Sequence, residues 1–457
     1  MTRMRAQAAL WIGRLVMAVL RLAGRRGTSL PGLIASRVSP ELLFRLLDQL
    51  EQCVVVTGTN GKTTTSALLY SMLEDDRRPW LTNRGGANLL QGLLAALLPH
   101  VDRYGRLRVR RAVLEVDEAT LPLMTAHYHP TLIVVTNVVR DQLDRYGEVD
   151  GALEMLRSGL LYPGTTLLAN ADDPLAASLG RERELTYYYG MEECPMDEEP
   201  RNEVRDGAFC LLCGQELRYE RYIYGQLGYY SCDRGHFGRP EPHFGGRTDG
   251  VSAVTVRERG ANERGEEFPV QAGVLGLYND YNVLAAAAAA RLLGRSPRQI
   301  QEGAKHYEAP LGRMQMFPGS PERILALIKN PTGANSVLRA LEADERDKAV
   351  CFAINDADAD GRDVSWLWDI DLEWFVSAAL CQHYICAGTR ALDMAVRLAY
   401  AGVDRGRIRI AAELSDLVSM TAELDVPVYV LSTYTALHPL GEHLRSDGPG
   451  LGRRIRT

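Results

Sequence analysis

Residues 53–65 read CVVVTGTNGKTTT, and the physical demands of that stretch decide the fold. Residues 53–57 form a β-branched apolar run, which suits a strand buried on both faces. A glycine-rich turn follows, and a helical stretch begins at Thr63 and runs to about Leu73. In such a strand, loop and helix, backbone N–H groups and the helix N-terminus can cradle a polyphosphate. Thr59, Asn60, Gly61, Lys62, Thr63 and Thr64 are therefore the candidate nucleotide contacts. Lys62 would neutralise phosphate charge, and Thr63 would offer a hydroxyl to magnesium. The strict eight-residue form of the loop begins with glycine where this chain has Val56, so the shorter form is present. Four lysines occur among 52 basic residues, and one of them stands at position 62. A structural turn explains the glycines but not that lysine.

Working outward, further buried-strand candidates lie at 112–116, 132–136 and 166–169, separated by helical segments, a pattern that calls for a parallel sheet covered on both faces. From about 190 to 265, Cys, Gly, Tyr, Pro and charge dominate and long helical periodicity disappears, which reads as an inserted subdomain of short strands. The alanine-rich stretch 283–293 returns to helix. After Pro310 and Pro318, strands near 324–328, 349–354, 383–387 and 427–431 alternate with helices and predict a second, smaller doubly wound α/β domain. The expected division is an N-terminal helical segment (1–50), a central ATP-binding domain (51–312) carrying a zinc-ribbon-like insertion (190–248), and a C-terminal Rossmann-like domain (313–457).

Length and composition agree with a folded multidomain protein. The 457 residues suffice for about three domains, and 46% hydrophobic with 24% charged residues exclude wholesale disorder or a rod. A net charge of 52 − 58 = −6 argues against nucleic acid as the default partner. Eight cysteines are too sparse for a disulfide framework and fit a reducing cytoplasm. The first 26 residues carry six arginines and no acid, with Arg14 and Arg21 interrupting the apolar runs. They read as an amphipathic cationic helix, either packed on the next domain or touching an anionic membrane surface at the inner face.

The motifs in order resemble the Mur ligases and folylpolyglutamate synthases, which activate a carboxylate as an acyl phosphate before amide formation. TGTNGKTTT is similar to their ATP loop. By that resemblance Glu115, in LEVDE, is a magnesium ligand with Thr63. Thr136, Asn137, Asp141 and Asp144 resemble the TN...DHLD segment, and Asn170–Pro174 the NADDP turn. Asn279 and Asn282 resemble the family's asparagines near the adenine, and Gly312–Arg313 resembles its GR before the last domain. The departures narrow the resemblance. Gln142 stands where the family has histidine, and no lysine lies between Lys62 and Lys305, so the carbamylated lysine of many Mur ligases has no counterpart. With KNPTG at 329–333 and DADADGRDVSWLWD at 356–369, the chain resembles the MurT branch, the synthetase subunits of lipid II isoglutaminyl synthase.

That resemblance implies amidation of the α-carboxyl of D-glutamate in the lipid II stem peptide, with ATP and magnesium, giving D-isoglutamine. Glutamine hydrolysis of the triad type needs a cysteine on a Gly-flanked turn, and no G-x-C-x-G occurs here. The glutaminase is therefore expected on another chain, by resemblance GatD, making a heterodimer or larger complex. The family's last domain lends that partner an aspartate, for which Asp369 is the first candidate and Asp363 the second.

Cys210 and Cys213 form a C-x2-C knuckle, and Cys232 follows after 18 residues, good spacing for zinc. By the resemblance a second C-x2-C would close the site, but Gly235 occupies that fourth position, so either His236 or the more distant Cys194 completes a structural zinc site, or the ribbon is degenerate and metal-free. Two other readings share the ATP loop: an amino-acid-adding ligase of Mur or folate type, disfavoured by Gln142 and the missing lysine, and a zinc-ribbon NTPase stimulated by nucleic acid, disfavoured by the net charge.

Overall fold

The computed structural model describes residues 2–23, 29–74, 78–83, 87–141, 149–195, 205–248, 253–259, 265–317 and 319–446. Gln142 and Asp144 lie outside the described residues.

The central sheet begins with the expected strand, β1 (Gln52–Thr57), followed by the helix Lys62–Leu73. It continues with β2 (Trp80–Thr82), β3 (Arg111–Glu115), β4 (Leu132–Val135), β5 (Thr166–Asn170) and β6 (Thr186–Glu193). Next come a separate hairpin, β7 (Arg218–Tyr224) and β8 (Leu227–Ser231), and then β9 (Phe244–Arg247), β10 (Val254–Glu258) and β11 (Glu266–Val270). Nine strands pair in the order β11-β10-β9-β6-β5-β4-β1-β3-β2. From β2 to β9 every pairing is parallel, and β10 and β11 add an antiparallel edge.

The period of two in β1 divides the core. Cys53 and Val55 face one layer with the helices of residues 2–47, 90–97 and 149–159, whereas Val54 and Val56 face the other with the helices 62–73 and 277–292. In that second layer Ala285–Ala290 are all fully buried. Their small side chains let the helix Leu277–Leu292 lie close to both the sheet and the phosphate-loop helix.

The pairing corrects the expected insertion of 190–248 at both ends. β6 and β9 pair parallel within the main sheet, so the separate part lies between them. β10 and β11, expected as insertion texture, also belong to the main sheet. What stands apart is the hairpin β7–β8 with the turns that carry Cys210, Cys213, Cys232 and His236.

The C-terminal sheet has β12 (Gln315–Phe317), β13 (Arg323–Leu327), β14 (Lys348–Ala353), β15 (Cys381–Ala387), β16 (Ile408–Ile410) and β17 (Val428–Ser432). Their order is β12-β13-β17-β14-β15-β16, parallel except for β12. Helices cover both of its faces, as the alternating pattern requires. This domain sits with the turn after β13 against the phosphate loop.

Candidate active site

The loop between β1 and its helix is fastened from below by the end of β4. The Asn60 amide donates to Asn137 Oδ1 (2.9 Å), Asn137 Nδ2 returns a bond to the Asn60 carbonyl (3.0 Å), and the Thr136 hydroxyl donates to the same carbonyl (2.7 Å). The Thr59 hydroxyl and Val139 backbone lock the other side at 3.1 Å. Gly61 caps the helix at φ +85°, and a Cβ built there would lie 2.2 Å from Asn282 Oδ1. Glycine is therefore required twice over, by the left-handed backbone and by the close approach of Asn282. Asn282 in turn accepts from the Thr65 hydroxyl (3.1 Å) and donates to Asn279 Oδ1 (3.2 Å), so both asparagines stand buried beside the loop.

Lys62 is buried, with its ammonium donating to the Gly58 and Thr59 carbonyls and to Glu118 Oε2 at 3.0 Å. Burial pulls its pKa down, but the charges of Glu118, Asp117 and Glu115 outweigh that and hold it above the ordinary lysine value. The lysine is therefore charged at neutral pH, as phosphate neutralisation requires. Glu115 at the end of β3 is positioned by Asn83, whose side chain pairs with the Glu115 backbone at 2.8 and 2.9 Å, while Asn88 approaches its carboxylate at 3.5 Å.

Three clefts lie about the loop and its contacts with the C-terminal domain. The first, about 870 Å³ with its open mouth, is lined by Asn60, Gly61, Thr64, Asn282 and Arg313 and closed by Lys329 and Thr332 of the C-terminal domain. The second, about 430 Å³, holds Arg140, Asp141, Lys329, Asp363 and Asp369. The third, about 1610 Å³, holds Thr63, Glu115, His306, Arg313 and His438. Thr63 and Glu115 thus face one space, and the Gly312–Arg313 link borders two of the three.

The C-terminal domain is bound to the loop through KNPTG. Lys329 pairs with Asp141 and donates to the Thr59 carbonyl (3.3 Å), while Asn330 exchanges amide hydrogen bonds with Asn60 (3.1 and 3.2 Å) and caps the helix Pro331–Glu342. Asp369 Oδ2 lies 3.7 Å from Arg140 Nη1. Asp363 accepts from the Ser365 amide (2.8 Å), a bond that lowers its pKa.

The NADDP turn is a junction of three parts. Asp173 caps the helix Pro174–Ser178, accepts from the Val138 amide (2.8 Å) and takes a bond from Gln226 of the β7–β8 turn (2.7 Å). Burial still raises its pKa to about 6. Asp172 is fully buried against Arg239 (2.6 Å), the Tyr281 hydroxyl (2.5 Å) and the Met191 amide (2.7 Å). Sequence reasoning missed that the hairpin reaches the nucleotide cleft: Tyr224, Gln226 and Leu227 line it, together with Tyr189 of β6. It also missed Glu118 as the partner of Lys62. The KNPTG segment singled out in the sequence supplies Lys329, which lines both the first and the second cleft.

Cys210, Cys213, Cys232 and His236 offer ligand atoms that all lie within 4.8 Å of one another. Cys213 Sγ and Cys232 Sγ are 3.6 Å apart and all eight cysteines are free thiols. Two sulfurs on a tetrahedral zinc with bonds of about 2.3 Å would be roughly 3.8 Å apart. Gly214 and Gly235 both take φ +68° at the two knuckle turns, and His236, next to Gly235, offers a nitrogen to the cluster. Cys194 packs against the main core instead.

A charged lysine in a strand–loop–helix cradle, a threonine and glutamate facing one cleft, and a second α/β domain closing on the loop define an ATP-dependent ligase of the Mur type. Residues 56–203 match the Mur ligase middle domain and residues 327–437 the MurT ligase C-terminal family. The chain is 32% identical to the lipid II isoglutaminyl synthase (glutamine-hydrolyzing) subunit MurT of Staphylococcus aureus (strain COL), over 98% of this chain and 99% of that one. It is 34% identical to the corresponding subunit of Streptococcus pneumoniae (strain ATCC BAA-255 / R6), over 95% and 96%. The chain belongs to the MurT family. In fold it is similar to a pseudomurein peptide ligase type C from Methanothermus fervidus (TM-score 0.66, 22% identity, covering 88% of this chain and 80% of that one).

Proposed function

We propose that this chain is the synthetase half of an amidating enzyme that converts the α-carboxyl of D-glutamate in the lipid II stem peptide to the amide. In this reading the carboxylate attacks the γ-phosphorus of ATP and ADP leaves. Ammonia then attacks the acyl carbon of the resulting acyl phosphate, and phosphate departs. Thr59–Thr64, Asn279, Asn282 and Arg313 hold the nucleotide, and Lys62 balances phosphate charge as it develops. Thr63 and Glu115 would hold magnesium, which supplies charge neutralisation between phosphates when bound.

The observation that carries the reading is the junction itself: the family's C-terminal domain binds the phosphate loop through Lys329 and Asn330, so activation and amidation share one space. Ammonia is almost wholly protonated at neutral pH, so delivery from a partner glutaminase of the GatD type makes chemical sense. Asp369 and then Asp363 are the candidates to complete that partner's triad. Both line the cleft beside Asp141 and Lys329, so nitrogen released there would emerge next to the phosphate loop. Zinc on Cys210, Cys213, Cys232 and His236 would hold the hairpin whose Gln226 supports Asp173.

The test is mass measurement of lipid II after incubation with this chain, a glutaminase partner, glutamine, ATP and magnesium. One hydroxyl should be exchanged for one amino group, and ammonium should substitute for glutamine plus partner. Product without ATP, or a free amino acid joined in place of ammonia, would overturn the assignment.

A further inference from the structure

The helix Thr2–Leu22 has two apolar faces, and the fold covers one of them. Ala9, Leu10 and Gly13 are buried, and a Cβ on Gly13 would meet Leu98 Cδ1 at 2.7 Å. Arg14 Nε also donates to the Leu98 carbonyl (3.2 Å). The helix is thus seated tightly and cannot roll to hide its other side. That other side runs through Met4, Trp11, Leu15, Val19 and Leu22, exposed by 80%, 53%, 65%, 56% and 89%, at the three- and four-residue spacing of one helical face. No helix among the described residues is long and apolar enough to cross a membrane.

The charge around this face is unlike the rest of the chain. Residues 1–40 contain seven arginines, no lysine and no acid, so the remaining residues carry −6 − 7 = −13. The loop that holds the helix in place adds more: Gln7 Nε2 donates to the Arg103 carbonyl (2.6 Å), and Arg103, Arg106, Arg108 and Arg110 are all exposed, with Tyr104 among them. The one acid there, Asp102, is occupied by the Tyr104 and Arg106 amides. A rigid apolar face with a central tryptophan, bordered by arginines, in a chain that is otherwise acidic, has the chemistry of an interfacial helix. We infer that this face docks on an anionic lipid bilayer surface, with the apolar stripe in the headgroup layer and the arginine loop against lipid phosphates. The inference does not depend on the amidation chemistry.

Flotation of the full-length chain with vesicles tests it. The chain should float with vesicles of phosphatidylglycerol and phosphatidylcholine, remain behind with phosphatidylcholine alone, and be released by salt. Arg106→Glu with Arg108→Glu should weaken partitioning by about 5-fold or more per site, and Trp11→Ser with Leu15→Ser by about 10-fold. Because these side chains are exposed, both variants should melt like the parent. Equal binding to neutral vesicles, no binding, or unchanged binding by both variants would overturn the proposal. So would a Trp11/Leu15 variant that converts a dimer to a monomer in sedimentation without altering vesicle binding, since the face would then belong to a second copy.

Discussion

Replacing Gly61 by alanine tests the geometry of the nucleotide loop most directly. The new Cβ would sit 2.2 Å from Asn282 Oδ1 and 3.1 Å from its Cγ, on a backbone at φ +85°. The left-handed conformation costs a non-glycine residue about 1–2 kcal/mol. Moving the Asn282 amide aside gives up the bonds to Thr65 and Asn279, about 1 kcal/mol each. The sum, about 3–4 kcal/mol, falls on the loop conformation that holds phosphate, so ATP affinity should fall by at least ~100-fold. Titration calorimetry with a non-hydrolysable ATP analogue measures that loss. A double-mutant cycle separates its parts: in an Asn282→Ala background the steric part is gone, and Gly61→Ala should then cost only the backbone strain of about 1–2 kcal/mol. The reasoning fails if Gly61→Ala binds nucleotide within ~3-fold of the parent, or costs the same in both backgrounds.

Cys232→Ala, or prolonged chelation, should release about one equivalent of metal per chain by elemental analysis and lower the melting temperature; a chain purified with no zinc and unchanged by chelator would remove the metal reading. Asp369→Asn should abolish glutamine-dependent amidation and spare the ammonia-dependent reaction; loss of both would place Asp369 in the synthetase cleft with Arg140 instead. Arg239→Met leaves Asp172 buried without its cation and should destabilise the protein by about 3–5 kcal/mol in chemical denaturation, with much of this regained in the Asp172→Asn, Arg239→Met double variant. Asp173, raised by burial from 3.8 to about 6, gives stability that is fully present below its unfolded pKa and lost as pH rises to about 6. Asp173→Asn should therefore flatten the fall in stability between those limits, by roughly 3 kcal/mol at most.

The strands were legible where they are short β-branched runs, because a strand buried on both faces leaves that mark whatever its neighbours are. β9 left no such mark: it reads FGGR, and its glycines suggest a turn. They are needed because a Cβ at Gly246 would meet Met191 Sδ at 2.7 Å and Leu284 Cδ2 at 2.8 Å, where the strand passes beneath the helix Leu277–Leu292. The edge of the insertion was therefore misplaced. The phosphate loop was legible because its cradle is local, made within nine residues of chain. The pairs Lys62 with Glu118, Lys329 with Asp141 and Gln226 with Asp173 join segments 56, 188 and 53 residues apart, and nothing in the local pattern of either partner announces the other.

The charge balance at the loop explains why those distant pairs matter together. Lys62 faces Glu115, Asp117 and Glu118, one cation against three carboxylates, so this cluster by itself carries 1 − 3 = −2 beside the phosphate loop, and Arg313 in the same cleft offsets only one of those charges. Lysine alone cannot make that site attractive. A divalent cation at Thr63 and Glu115 would supply the missing charge, which would make metal and nucleotide binding cooperative. Lys329 supplies a further positive charge from the other domain, but it is held by Asp141 and by the Thr59 carbonyl of the loop itself. Any shift in the loop on taking up phosphate must therefore be felt at Lys329 and, through Asn330, at the first turn of the helix Pro331–Glu342. The same cleft holds Asp363 and Asp369, so the segment that would meet the nitrogen donor is mechanically joined to the one that would hold the nucleotide.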